Sequence, residues 1–470
     1  MRGVWMLALL WLAVAEGIQA APRLEGPFRA DSLAFFIVHH GGPLLVELHV
    51  NRPTRELKDQ GGVRFPHAVF WQLYDADERL AARDYHRFTG EETGKVFRVQ
   101  LPDAPAGVYQ LRYAKSPANE ITVDLRCEPP ASFGVMPCRA RLHEGRKNQF
   151  RSAWVYVPPG EHRVRLNAYA ATLRLLGRDG RPMARAPGEL RVRGEALYRV
   201  EATFDHAASA VGISGVPPIL CPDEATARRI GGSVERAPDG RLLAHRFQVR
   251  MWEWMHRLTP ADLAAVPKPL LPLESFWLQD PRNAGLLGPG GPFNHVPRIL
   301  RDQNLDPNSE DYGLGTNTSW LGPVYAIDAP FNPYRRDRAI LNRLLLQEFA
   351  RFLSLSENGT FVADDWNDYS GTDGLSYGER AYLFGSVAPL IDPDLRQLWF
   401  DGVSRLPHRW AFDRVSCENQ TASFMLIQWM LGQGSGDDLY RTLAADFAAA
   451  FYDPHLNSFM KTGYHQERYG

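Results

Sequence analysis

The chain has 470 residues, of which 44% are hydrophobic and 23% are charged, and its formal net charge is −1 at pH 7. This length exceeds one ordinary hydrophobic core and predicts two to four domains. The balanced charge, with no strongly basic stretch of sequence, argues against non-specific binding of nucleic acid, because such binding needs a positive field.

The N-terminus has the pattern of a secretory signal peptide. Arg2 precedes an apolar stretch from Gly3 to Ala15, which is too short to span a bilayer comfortably, and cleavage is predicted after Ala20. We therefore expect residues 1–20 to be removed on export to the periplasm or the extracellular medium. No later stretch reaches the roughly 18 apolar residues of a membrane span, so no membrane partner is expected after cleavage.

Four cysteines are present, at Cys127, Cys138, Cys221 and Cys417. In an exported protein an even number of cysteines suggests disulfide bonds. Cys127 and Cys138 flank a proline-rich turn and are the predicted pair. The sequence shows no base that would activate Cys417, which we interpret as a small buried residue. No cysteine or histidine spacing resembles a zinc site, and no cofactor is predicted.

The N-terminal half of the chain predicts two β domains. Residues 21–125 contain short alternating strands separated by turns, which predicts an Ig-like antiparallel β-sandwich. Residues 126–218 contain further strands, with a tight hairpin predicted at Asp179-Gly180. The sequence WVYVPPGEHRVRL resembles the jelly-roll accessory modules of secreted carbohydrate-active enzymes. The resemblance implies a module that binds glycan or braces a catalytic domain.

From residue 219 the hydrophobic pattern changes to the period of helices. Helices are predicted at 222–230 and at 437–452, among others, and the apolar stretch 424–431 predicts a helix that is buried on most sides. Helix starts recur roughly every 50 residues, which predicts an α/α toroid of helical hairpins over residues 219–470. A closed toroid of this period needs on the order of 300 residues, so the predicted toroid is incomplete and the chain is interpreted as an N-terminal fragment.

Three stretches of the C-terminal half carry a resemblance to a known family. The sequences NRLLLQEFARFLSLSENGTF, SCENQTASFMLIQWMLGQGSGDDLYRTLAADFAAAF and GYHQERYG resemble the secreted bacterial polysaccharide lyases of the α/α-toroid class, such as the heparinase and alginate-lyase superfamilies. The resemblance implies a polysaccharide partner that contains uronate and cleavage of that polymer by β-elimination.

β-Elimination removes the proton next to a carboxylate, so the site needs a group that stabilises the developing charge, a base and an acid. Asn419 or Gln420 suits the first role, and His465, Tyr464 and Tyr469 suit the other two. For binding the substrate, a bidentate arginine suits its carboxylate and aromatic rings suit its sugars. The candidates for these roles are Arg409, Arg468, Trp320, Trp366 and Tyr369.

Each of these residues also has a structural interpretation. Asn419 fits the cap of a helix or the start of an Asn-Gln-Thr glycosylation sequon, and His465 fits an ordinary loop position. Tyr464 and Tyr469 fit packing positions, and Trp320 fits a packing anchor for an irregular segment.

Two other function classes remain open from the sequence. A glycoside hydrolase needs two carboxylates that face the cleft, and Asp364, Asp365, Asp368 and Glu467 are available. The three aspartates also fit a solvated loop or a structural Ca²⁺ site. A non-catalytic glycan-binding or scaffold protein is the third class.

Overall fold

The computed structural model describes the β-rich part of the chain and one C-terminal helix. The described residues are 26–29, 32–52, 67–89, 92–115, 121–137, 143–144, 152–204, 210–232, 235–236, 242–243, 250–251, 253, 337, 398, 425, 428–430, 432–433 and 436–452. Of these residues, 58% lie in strands and 16% in helices, so the described fold is predominantly β.

Residues 26–137 form two antiparallel sheets packed face to face. One sheet has three strands, in the order β5 (Gly94–Ala104), β2 (Gly42–Asn51), β7 (Thr122–Glu128). The other has five, in the order β4 (Leu80–Arg87), β3 (Ala68–Tyr74), β6 (Gly107–Lys115), β1 (Ser32–His39), β8 (Phe133–Pro137). Every second residue of β2, from Leu44 to Val50, is buried. Across the interior, the rings of Trp71 and Phe97 lie 5.6 Å apart.

Residues 143–214 form a second pair of antiparallel sheets. The first has the order β10 (Ser152–Val157), β15 (Ala196–Phe204), β12 (Ala171–Leu176), β13 (Pro182–Arg185). The second has the order β14 (Gly188–Arg193), β11 (Glu161–Tyr169), β16 (Ala210–Ser214), β9 (His143–Glu144). A small hairpin, β17 (Glu235–Arg236) with β18 (Leu242–Leu243), follows.

Helix α1 (Glu224–Gly231) lies at the junction of the two sandwiches. Its N-terminus is capped by Asp223, whose carboxylate accepts a hydrogen bond of 2.7 Å from the backbone N–H of Thr226. Just before it, Leu220 exchanges backbone hydrogen bonds with Val135 of β8, and Cys221 exchanges them with Trp154 of β10. A short extended segment therefore ties one strand of each sandwich to the same helix.

The junction has its own buried cluster. The first sandwich contributes apolar residues of β1 and β8, and the second contributes residues of β10 and β15. Helix α1 packs on these residues. Its members are Ala34, Phe36, Val38, Met136, Tyr156, Leu197, Ile219, Cys221, Ala227 and Ile230. Because the cores of the two sandwiches also form one contiguous set of buried residues, the sandwiches share their hydrophobic core.

The predicted toroid of helical hairpins is wrong for the described residues. The two helices whose bounds the structure describes are α1, with 8 residues, and α2 (Asp438–Tyr452), with 15, and each packs on a β-sheet. The pattern predicted both helices correctly, but a helical period specifies only an apolar side and not what covers it. In this chain sheets cover it. Of the stretch 424–431, predicted to be a helix buried on most sides, the described residues include Met425 and Gln428, which are buried, and Trp429, which is 42% exposed.

Several smaller predictions can be compared directly. The hairpin at Asp179-Gly180 is confirmed, with Gly180 at φ 79° joining β12 to β13. Cys127 and Cys221 are free thiols, which contradicts the predicted disulfide between Cys127 and Cys138. Burial raises the pKa of the Cys127 thiol to about 12. Strand β8 lies after residue 125, the predicted end of the first β domain, and it pairs with β1 of the first sandwich. No helix in the described ranges is both long and apolar enough to cross a membrane.

Candidate functional site

The outer face of the five-stranded sheet is covered rather than exposed. Strand β3 is buried along its whole length, and β6 is buried from Tyr109 onward. Since alternate residues of a strand point to opposite faces, burial on every position means that a second layer lies on the outer face. On the apolar half, α1 forms that layer over Phe36 and Met136. The other half is polar.

The polar half contains five buried side chains, here called the polar floor, which form two separate groups of hydrogen bonds. Its members are Gln72, Tyr74, Glu78, Gln110 and Arg112, each at most 8% exposed. Arg112 donates to the Gln110 Oε1 at 3.4 Å, and Gln110 Nε2 donates to the Glu78 Oε1 at 2.9 Å. Tyr74 donates to the Gln72 Oε1 at 3.1 Å. These hydrogen bonds compensate for the hydration that the participating atoms lose on burial, whereas the buried Gln72 Nε2 has no hydrogen-bond partner among the described residues.

Glu78 reaches the polar floor from a strained turn. Its φ is 58°, in the left-handed region that non-glycine residues rarely adopt. The turn is fixed by Asp75, whose carboxylate accepts from the backbone N–H groups of Asp77 and Arg79 at 2.9 and 2.8 Å. The strained backbone at Glu78 thus places a buried carboxylate where it accepts the hydrogen bond from Gln110.

Substitutions at Glu78 separate these two effects. We expect Glu78→Ala to lower the free energy of unfolding by about 1–3 kcal/mol, because Gln110 loses its buried acceptor. Glu78→Gly should be less destabilising than Glu78→Ala by about 1 kcal/mol, because glycine adopts the left-handed conformation without strain. Urea unfolding of both variants measures the difference. Equal stabilities for the two variants would contradict the strain at this turn.

Helix α2 lies over the polar half through charged and aromatic contacts. At its start Asp437 forms an ion pair with Arg83, and two turns later the Asp446 Oδ1 lies 3.6 Å from Arg87 Nη1. Between them the Tyr440 ring stacks on Phe70, with centroids 6.5 Å apart. The Arg83 guanidinium also lies 5.7 Å from the centre of the Tyr440 ring, within the range of a cation–π contact.

The two phenols at this interface are held in their neutral form. Tyr440 is 3% exposed, and its burial raises the pKa of the hydroxyl well above the usual range. Burial also raises the pKa of Tyr85, and the neighbouring carboxylate of Asp446 adds to the increase. A base for catalysis near neutral pH needs a pKa close to that pH, so neither phenol suits that role. The arrangement is suited to holding a helix against a sheet.

The residues that sequence analysis proposed for catalysis and substrate binding all lie outside the described residues. They are Asn419, His465, Tyr464, Tyr469, Glu467, Arg409, Arg468, Trp320, Trp366, Tyr369 and Gln420, together with Asp364, Asp365 and Asp368 of the possible Ca²⁺ site. Their roles stay predictions. In the described part of the chain, no group of three or more His, Cys, Asp or Glu side chains is placed to hold a metal ion.

The interface beneath α2 was not predicted from the sequence. Strand β4 (LAARDYHR) is mostly polar, so it lacks the apolar alternation by which strands were identified. Its pattern nevertheless places Arg83, Tyr85 and Arg87 on one side at a period of two residues. Three large cationic or aromatic side chains on one side of a short strand indicate a face that contacts another element.

Comparison of the chain with family models finds no match, and comparison with curated proteins finds none either.

Proposed function

We propose that this protein is exported and acts on a uronate-containing polysaccharide, with the two sandwiches serving as a rigid non-catalytic scaffold for the C-terminal segment. The observation that supports the scaffold is the attachment of α2 to the first sandwich through Asp437, Tyr440 and Asp446. The candidate residues Asn419 and His465 lie on either side of α2 in the sequence. A fixed α2 gives both stretches a fixed starting point.

The proposed reaction is a β-elimination. His465 removes the proton on the carbon next to the uronate carboxylate, and the electron pair forms a carbon–carbon double bond as the glycosidic C–O bond breaks. Tyr464 or Tyr469 donates a proton to the leaving oxygen. Asn419 or Gln420 stabilises the charge that develops on the carboxylate.

Substrate binding is assigned to residues of the same stretches. Arg409 or Arg468 binds the carboxylate through two parallel hydrogen bonds. Trp320, Trp366 and Tyr369 contact the sugar rings. The signal peptide 1–20, with its apolar stretch from Gly3 to Ala15, directs the chain to the periplasm or the extracellular medium.

A second candidate is a non-catalytic glycan-binding or scaffold protein. It rests on the same observation as the scaffold, the attachment of α2 to the first sandwich, and it requires no catalytic residue. A third candidate is a glycoside hydrolase that uses Glu467 with Asp364, Asp365 or Asp368. Its product differs from that of a lyase, so the incubation described next distinguishes the two enzymes.

The test is incubation of the purified mature chain with polygalacturonate. A lyase forms an unsaturated uronate whose conjugated double bond absorbs ultraviolet light. We expect this absorbance with the wild-type chain and a decrease in its rate of roughly 100-fold or more for His465→Ala, as for loss of a general base. The exposed His40 provides a control, since His40→Ala should leave the rate unchanged.

Two outcomes would overturn the lyase proposal. New reducing ends without ultraviolet absorbance would indicate hydrolysis. Binding of the polymer with no cleavage would indicate the non-catalytic candidate.

A further inference from the structure

The exposed side of the sheet that contains β11 and β14 carries four arginines, here called the arginine face. They are Arg163, Arg165, Arg191 and Arg193. The residues that alternate with them, Val164, Leu166 and Val192, are buried in the core. Strand alternation therefore directs the four arginines to the opposite side, and the side chains of Arg163, Arg165 and Arg193 are 59%, 54% and 86% exposed.

The register of the two strands places these charges in three cross-strand pairs. Arg163 lies directly opposite Arg191, with Glu161 opposite Arg193 on one side of that pair and Arg165 opposite Glu189 on the other. The carboxylates occupy opposite corners of this arrangement. The guanidinium groups form a diagonal band between them.

The carboxylates do not neutralise the band. Glu189 is shared by Arg163 at 3.7 Å and Arg165 at 3.4 Å, and Glu161 pairs with Arg193 at 3.0 Å. Arg191 is exposed and has no ion-pair partner among the described residues. The two strands thus present two more cations than anions on this side.

Folding gives no reason to place Arg163 directly opposite Arg191. Like charges directly opposite each other destabilise a sheet, and ion pairs between exposed side chains stabilise a protein by at most about 1 kcal/mol. An anion bound from solution would remove the repulsion between Arg163 and Arg191. Tyr169, which ends β11 and is 63% exposed, adds an aromatic ring of the kind that packs on sugars.

We propose that the arginine face binds a linear polysaccharide that carries carboxylates, as a binding surface separate from the residues assigned to β-elimination. Cross-strand neighbours lie about 5 Å apart, and alternate residues along a strand about 6.7 Å apart. The diagonal band therefore offers several forked guanidinium groups in a row, each able to bind one carboxylate by two hydrogen bonds. Only the choice of a uronate polymer rests on the proposed function.

The experiment measures the affinity of the purified mature chain for polygalacturonate by titration calorimetry at several salt concentrations. The test variant is Arg163→Gln combined with Arg191→Gln. We expect at least a tenfold weaker affinity and a shallower dependence on salt, because fewer cations contact the polymer. Its Tm should be unchanged or slightly higher, since the substitutions remove a like-charge pair.

The control removes the same charge from the first sandwich. Arg98→Gln combined with Arg126→Gln replaces two exposed strand arginines, 68% and 64% exposed, that lie far from β11 in the sequence. This control should bind like the wild-type chain. Neutral dextran should bind to none of the proteins.

Three results would overturn the proposal. One is equal loss of affinity in the test and control variants, which would mean a general charge effect. Another is binding of duplex DNA as tight as that of polygalacturonate at the same salt. The last is no measurable binding by the wild-type chain.

The same variants separate this proposal from the lyase proposal. The arginine variant should still form unsaturated product from a short oligogalacturonate. Binding of the polymer without any turnover would support the proposal for the arginine face and contradict the lyase proposal. Turnover by the wild-type chain, with an unchanged affinity in the arginine variant, would support the lyase proposal and contradict the proposal for the arginine face.

Discussion

Replacement of Tyr440 by alanine is expected to release α2 from the first sandwich. Tyr440 is 3% exposed, stacks on Phe70 and supports the Arg83 guanidinium. Loss of a buried aromatic ring costs about 3–5 kcal/mol, and roughly 1.4 kcal/mol corresponds to a factor of ten in an equilibrium. The population of chains with α2 detached should therefore rise by roughly 100-fold or more. Native-state proteolysis with thermolysin should show new cleavage within residues 438–452.

The control for this variant lies on the same helix. Tyr452 is 64% exposed, so Tyr452→Ala should change the rate of cleavage little, as expected for an exposed position. If both variants are cleaved at the same rate as the wild-type chain, Tyr440 does not anchor the helix.

Replacement of Ile230 by alanine is expected to weaken the junction between the two sandwiches. Ile230 is 1% exposed and contributes to the cluster shared by β1, β8, β10 and β15. Its side chain packs tightly on the backbone of β8: a Cβ added at Gly134 would lie 3.0 Å from the Ile230 Cδ1. A cavity in such a cluster costs about 2–5 kcal/mol, measured as the change in the free energy of unfolding in urea.

The neighbouring residue of α1 provides the matched control. Arg229 is exposed on the same turn, so Arg229→Ala should change the free energy of unfolding by less than about 0.5 kcal/mol. A loss at Ile230 no larger than the loss at Arg229 would contradict a shared core at the junction.

The sequence predicted the strands well where one face of a strand is buried. The alternation in LLVELHV predicts a strand with one face in the core, and this stretch lies in β2 (Gly42–Asn51) of the structure. Strand β4 was not predicted because its alternating side chains are Arg83, Tyr85 and Arg87, which are only half-buried and contact a helix rather than the core. Contacts of that kind depend on the distant residues Asp437 and Asp446.

The toroid was predicted wrongly for the same reason, because the contacts of a helix depend on residues that are distant in the sequence. The helix at 437–452 was predicted almost to the residue, because its period and its start are local properties. What the helix packs against is not local. The buried Tyr440 fits the core of a helical hairpin as well as it fits the Phe70 ring of a sheet, and the recurrence of helix starts along the chain does not distinguish the two.

The polar floor shows why this candidate site could not be derived from sequence. Glu78 and Gln110 are ordinary polar residues of a turn and a strand, and nothing in their neighbours marks them as buried. Their hydrogen bond exists because β3 and β6 are adjacent in the sheet and because a second layer excludes water from the outer face.

Hydrogen exchange of the wild-type chain tests most directly whether the first sandwich holds the C-terminal helix. An isolated helix of 15 residues is marginal in water, so protection of residues 438–452 must come from packing on the sheet. We predict that these amides are protected in the wild-type chain and become exposed in Tyr440→Ala, while the amides of β2 and β5 keep their protection in both. Exchange of the 438–452 amides at the rate of an unfolded peptide in the wild-type chain would contradict the docking of α2 and, with it, the scaffold role of the sandwiches.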